Sequence, residues 1–284
     1  MSKPQSVRQS VIAGSWYPGT ASGLTRTIDD YLGRVADEPL VPGQLIGLIC
    51  PHAGYAYSGP TAAHAYHQLQ GCKLDTVVLM GPSHRAWVGD YAVSVEDAYE
   101  TPLGLVPLDL DFIAALAGRA PLTRVRRDAE HSLEIQLPFL QRQLAAFRLV
   151  PIMMSADDPA VARRLADALV DTIREQPERA GHILLVASSD LHHIENYDQV
   201  VRRDQRVVDA VAAYDLEDLT AALMDRHSTV CGRMPILTVL YAGQSLGADQ
   251  TKVLYHTTSG DVTGDRELGQ YTVGYMAAAL YKTQ

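Results

Sequence analysis

The sequence predicts an α/β fold, a single domain over residues 1–284 whose central sheet is mixed but largely parallel and flanked by helices. Three observations carry that prediction. Short apolar runs recur along the chain, most of them continuous rather than alternating, as strands covered on both faces require. Segments with apolar residues at helical spacing lie between them. No repeat, low-complexity tract or Gly/Ser-rich linker divides the 284 residues, a length within reach of one α/β domain.

Taken in order, LIGLIC (45–50), TVVLM (76–80), YAVSV (91–95), LVPIMM (149–154), HILLVA (182–187) and KVLYH (252–256) read as strands. Helices are expected over TAAHAYHQLQ (61–70), after Ser58-Gly59-Pro60, and over residues 158–176, where Pro159 stands near the start. Residues 196–214 and 216–227 show the same spacing, and YTVGYMAAALYK (271–282) is grouped with the helices on a weaker pattern. The stretch YAVSVEDAYETPLG is expected to insert antiparallel strands.

Composition limits the function classes. Hydrophobic residues are 47% and charged residues 20%, so the chain can bury a core and does not read as disordered. A net charge of −9 argues against nucleic acid or an anionic membrane as the main partner. No signal peptide and no bilayer-spanning run is read. Three scattered cysteines, Cys50, Cys72 and Cys231, do not form a disulfide framework. The expectation is a reduced, cytoplasmic protein.

Ligands of open α/β sheets bind beyond the carboxyl ends of the strands. Three strands deliver imidazoles there: the first into Pro51-His52-Ala53-Gly54-Tyr55, the second into Gly81-Pro82-Ser83-His84, the fifth into Ser188-Ser189-Asp190-Leu191-His192-His193. Imidazole is a common metal ligand and a common general acid or base, although any one of these could be an idle loop histidine. Glu130-His131-Ser132-Leu133-Glu134 places two carboxylates on one face if helical. Such a cluster either orients metal-bound imidazoles or is a solvated helix start, and Pro138 would kink the helix. His64, His67, His182, His227 and His256 carry weaker signals. Cys231 sits in a turn with Arg233, which can favour a thiolate, but buried free cysteines are usually inert. Spacing does not join it to His52 and His84.

The stretches AGSWYP (13–18), PHAGYAYSG (51–59), LMGPSH (79–84), EHSLEIQLPF (130–139), SSDLHH (188–193), CGRMPI (231–236) and YHTTSGDVTGD (255–265) occur in that order. Together they resemble the Memo family, which includes the mediator of cell motility of eukaryotes and the prokaryotic AmmeMemoRadiSam system protein B. The resemblance runs from near residue 8 to the C-terminus. It implies a fold similar to class III extradiol (LigB-type) non-haem iron dioxygenases. It also implies metal ligands at His52, His84 and Cys231, with Asp190 and His193 in the same pocket. His193 would then be the general acid/base, oriented or charge-balanced by Asp190, and Tyr55 a substrate contact. The dioxygenases use two histidines and a carboxylate, so Cys231 is a departure that softens the site. Fe(II) is the expected metal, with copper or zinc as alternatives.

The resemblance leaves three readings of function. The first is an extradiol-dioxygenase-like oxidoreductase. The second is an adaptor whose pocket binds a small molecule or a peptide, or a subunit for AMMECR-type and radical SAM partner proteins. The third is a zinc hydrolase or a cysteine nucleophile served by His193.

Overall fold

A computed structural model describes residues 4–126 and 128–283. The chain opens with β1 (Val7–Arg8), α1 (Ala21–Arg34), β2 (Gln44–Cys50), α2 (Tyr55–His67) and β3 (Thr76–Pro82). It continues through β4 (Tyr91–Ser94), β5 (Ala98–Thr101), β6 (Gly104–Pro107), α3 (Leu110–Ala117) and β7 (Leu122–Val125). Next come α4 (His131–Glu134), α5 (Leu137–Gln143), β8 (Arg148–Met154), α6 (Pro159–Arg174), β9 (Ile183–Ser188) and β10 (His193–Ile194). The last third holds α7 (Tyr197–Ala212), α8 (Leu216–Leu223), α9 (Arg233–Ser245), β11 (Gln250–Thr258), α10 (Ser259–Thr263) and β12 (Thr272–Lys282).

The central sheet runs β10-β12-β2-β9-β3-β8-β4-β7, with β11 also paired to β12. Its middle is parallel: β2 with β9, β9 with β3, and β3 with β8. β12 enters antiparallel to β2, and β4 antiparallel to β8, so the sheet is mixed as the sequence predicts. Buried runs such as β3 and β9 explain the continuous apolar stretches. α9 packs on β2, β9 and β3 and is backed by α6, while α2 packs on β12, β11 and β2 beside α1 and α5. The expected insertion exists, but β5 and β6 pair antiparallel in a separate three-stranded sheet with β1.

Four stretches differ from the sequence reading. Residues 271–282 are not a helix: β12 is an 11-residue strand between β2 and the edge strands β10 and β11. Its Met-Ala-Ala-Ala-Leu run favours a helix locally, but burial between β2 and β11 overrides that preference. Residues 233–245, with Thr, Val and Ile among them, form α9; Pro235 falls in its first turn, where no intrahelical N–H is needed. α2 also begins earlier than expected, at Tyr55, and carries Pro60 inside it. The cluster 130–143 is two short helices rather than one, with Pro138 at the start of the second.

Candidate metal centre

The order β2-β9-β3 brings three strand ends together, and each contributes to one cavity of about 620 Å³. His52 is the second residue past β2 and His84 the second past β3. Cys231 stands two residues before α9, whose start is pinned to the end of β9. Gly232 N donates to Ser189 Oγ at 2.9 Å. A Cβ at position 232 would stand 2.4 Å from Ser189 Cβ and 2.6 Å from the Ser188 carbonyl, so only glycine allows this approach. One ligand atom from each of His52, His84 and Cys231 lies within 4.8 Å of the others.

Hydrogen bonds set the tautomers of both histidines. Ser188 Oγ donates to the Ser132 carbonyl at 2.6 Å and accepts from Gln136 Nε2 at 2.8 Å. Its one proton is thus used, and it contacts His52 Nδ1 at 3.1 Å as an acceptor. The Nδ1–H of His52 therefore leaves an Nε2 lone pair, which faces Cys231 Sγ at 3.1 Å. Glu130 does the same for His84, accepting from Nδ1 at 2.9 Å and from the backbone N–H at 2.6 Å. Burial pushes the Glu130 carboxyl up. The His84 ring and the backbone N–H groups of Ser132 and His84 outweigh this and hold it at about 2.

Burial drives the His52 imidazolium well below its ordinary range, with His84 and His131 adding to the effect. Burial raises the Cys231 thiol, and the Asp190 charge adds to this. Arg233 does not counter it, because its guanidinium pairs with Asp157 at 2.5 Å. Without a cation the site therefore favours a neutral His52 imidazole and a Cys231 thiol. A bound divalent cation would replace the thiol proton, and two neutral imidazoles with a thiolate are a donor set for iron, copper or zinc. The residues present fit a metal.

Asp190 and His193 both line the cavity, but they do not pair with each other. Asp190 Oδ1 accepts from the backbone N–H groups of His52 (2.7 Å) and Ala53 (3.3 Å), which fixes the turn carrying His52. Burial raises Asp190 to about 7. His193 is oriented instead by Thr229, whose carbonyl lies 3.1 Å from Nδ1. That bond leaves Nε2 as the free ring nitrogen. Burial lowers the His193 imidazolium.

The remaining expected residues divide. His131 lines the cavity itself, stacked on His84 at 4.6 Å and tilted against Trp16 at 4.3 Å. Glu134 faces away: it accepts from Arg8, Ser10, Val11 and Tyr17 and touches neither histidine ligand. Tyr55 is also a correction. It is buried, its hydroxyl donates to the Ile135 carbonyl at 2.9 Å, and its ring packs on Phe139. Tyr57, 46% exposed, lines the cavity in its place, together with Trp16, Arg85 and Tyr271. Sequence reasoning missed these four, although Trp16 and Tyr57 lie inside stretches that carried the resemblance. His192 and His256 belong elsewhere, on opposite oxygens of the buried Asp204. Gly274 packs on that carboxylate so closely that a Cβ would meet Asp204 Oδ2 at 1.7 Å.

The fold and the cavity define an α/β protein with a candidate mononuclear metal centre at the carboxyl ends of its parallel strands. The family described as Memo-like protein matches residues 8–279. Over 274 residues the chain is 35% identical to a MEMO1 family protein of Methanosarcina mazei, covering 95% of this chain and 98% of the relative. A MEMO1 family protein of Ignicoccus hospitalis is 36% identical, with 95% and 97% covered, and one of Nitrosopumilus maritimus 32%, with 95% and 98% covered. The chain belongs to the Memo family. Among the described residues, no helix is long and apolar enough to cross a membrane.

Proposed function

We propose that the protein is a mononuclear non-haem metalloprotein, with Fe(II) held by His52, His84 and Cys231, acting as an oxidoreductase related in chemistry to extradiol dioxygenases. The observation that carries this reading is the pair of fixed tautomers, which leave two imidazole lone pairs free within 4.8 Å of each other and of the Cys231 sulfur. Bound there, Fe(II) would supply Lewis acidity and an electron source for dioxygen chemistry.

The chain's own residues supply the rest. His193 Nε2, with Nδ1 held by Thr229, takes a proton from a substrate hydroxyl and returns it later. Asp190 holds the β2–α2 turn and, with its carboxyl near 7, shares the local proton balance. Trp16, Tyr57 and Tyr271 line the cavity and favour a planar apolar substrate.

Oxygen uptake by anaerobically Fe(II)-loaded protein, measured against a panel of catechols, tests the proposal. Turnover that disappears in His193→Ala while the metal stays bound supports it. Silence across the panel in fully loaded protein assigns the cavity to ligand binding instead.

A further inference from the structure

At the other end of the sheet lies a second cavity, of about 680 Å³, between the β5–β6 hairpin and the α5–β8 connection. β3 and β8 are 7 residues long, so this cavity is separated from the metal centre by roughly 20 Å of strand. Its volume suits a small organic molecule. Leu103, Val106, Leu144 and Phe147 form apolar walls, and Leu105 at the lip leaves 45% of its surface exposed.

The walls are held in place. Thr101 Oγ1 donates to Gln141 Oε1 at 2.6 Å, and Gln141 Nε2 donates to the Gly104 carbonyl at 3.2 Å, which ties the hairpin to α5. Two arginines line this space. Arg179 is committed to the buried Asp109 and to Thr76. Arg148, half-buried at the first position of β8, makes no ion pair or side-chain hydrogen bond among the described residues. Asp75 also borders the cavity, but its carboxylate is exposed and lies 3.7 Å from His182.

An apolar chamber with one uncommitted guanidinium is complementary to a molecule with an apolar body and a single negative head. A carboxylate matches the planar fork of arginine, and one charge is what one free arginine can neutralise beside Asp75. We infer that this cavity is a binding site for an amphipathic monocarboxylate, with Arg148 as the carboxylate receptor and the hairpin and α5 residues as the apolar sleeve. The inference rests on nothing in the metal proposal.

Isothermal titration with decanoate, and with decanol as the uncharged counterpart, tests it on the full chain. Wild type is expected to bind decanoate saturably and one to one, and more tightly than decanol. Arg148→Gln should weaken decanoate about tenfold, which a lost charge-assisted hydrogen bond implies, and bring it level with decanol. Arg148→Lys, which keeps the charge but not the planar fork, should bind decanoate with an affinity between those of wild type and Arg148→Gln. Ala146→Trp, at an exposed lining position, should abolish both by filling the chamber. Absence of saturable decanoate binding by wild type overturns the inference, as does decanoate affinity unchanged in Arg148→Gln or in Ala146→Trp.

Discussion

Glu130 shows how much of the centre depends on residues that hold no metal themselves. Its carboxylate caps α4 through the N–H groups of His131 and Ser132 while accepting both the ring and backbone N–H of His84. Glu130→Gln should therefore leave all three ligands present yet lower metal affinity about 10–100-fold, as losses of such orienting partners do; a competition titration against a chelator measures it. Glu134, which contacts none of the three ligands, gives a separate prediction. Burial raises its pKa, but Arg8, Ser10 and the Val11 N–H prevail and depress it below 4.5. A depressed carboxyl stabilises the fold above its unfolded pKa, and that stability is lost as pH falls through the folded value. Glu134→Gln should cost about 3 kcal/mol at pH 7, and the gap from wild type should close as pH is lowered below about 4; denaturant titrations across pH measure both. Tyr55 shows why residue roles are harder to read than residue types. A helix that starts at residue 61 puts Tyr55 in a loop, free to face a substrate. With the helix starting at Tyr55, positions 55 and 57 differ by about 200° around the axis, and Tyr57 faces the cavity while Tyr55 enters the core.

At the scale of elements, α9 matters most to the site and is least visible in the sequence. Its N-cap Gly232 follows Cys231 directly, so the helix start sets where the thiol stands, yet its Ile, Leu, Thr and Val content resembles a strand. β12 is obscured for the opposite reason, an alanine run in a buried strand. In both, tertiary contacts decide, and these are not encoded in local preference. Gly232→Ala tests the pinning of α9 directly. The added Cβ must push the helix start away from Ser188 and Ser189, so the variant should lose about 1–3 kcal/mol of stability, the usual cost of overpacking. It should also lose metal binding although every ligand remains. A thermal midpoint and a metal content equal to wild type would show that α9 has room the geometry denies. The pairing of His193 is unreadable for a related reason: its acceptor, Thr229, lies 36 residues away in the loop before α9.

Across the whole molecule, the strand-end histidines are legible because apolar runs mark strand ends and ligands gather there. Their convergence is not, since it depends on β9 inserting between β2 and β3, an order that no local pattern records. The ordered family stretches join Cys231 to His52 and His84, and the geometry places all three at one point. The most direct test is metal stoichiometry. Wild type, His52→Ala, His84→Ala and Cys231→Ser are loaded anaerobically with Fe(II), freed of excess metal and analysed for iron per chain. One iron is expected in wild type, with a large loss in each variant. Equal iron in all four proteins would contradict the assignment of the centre.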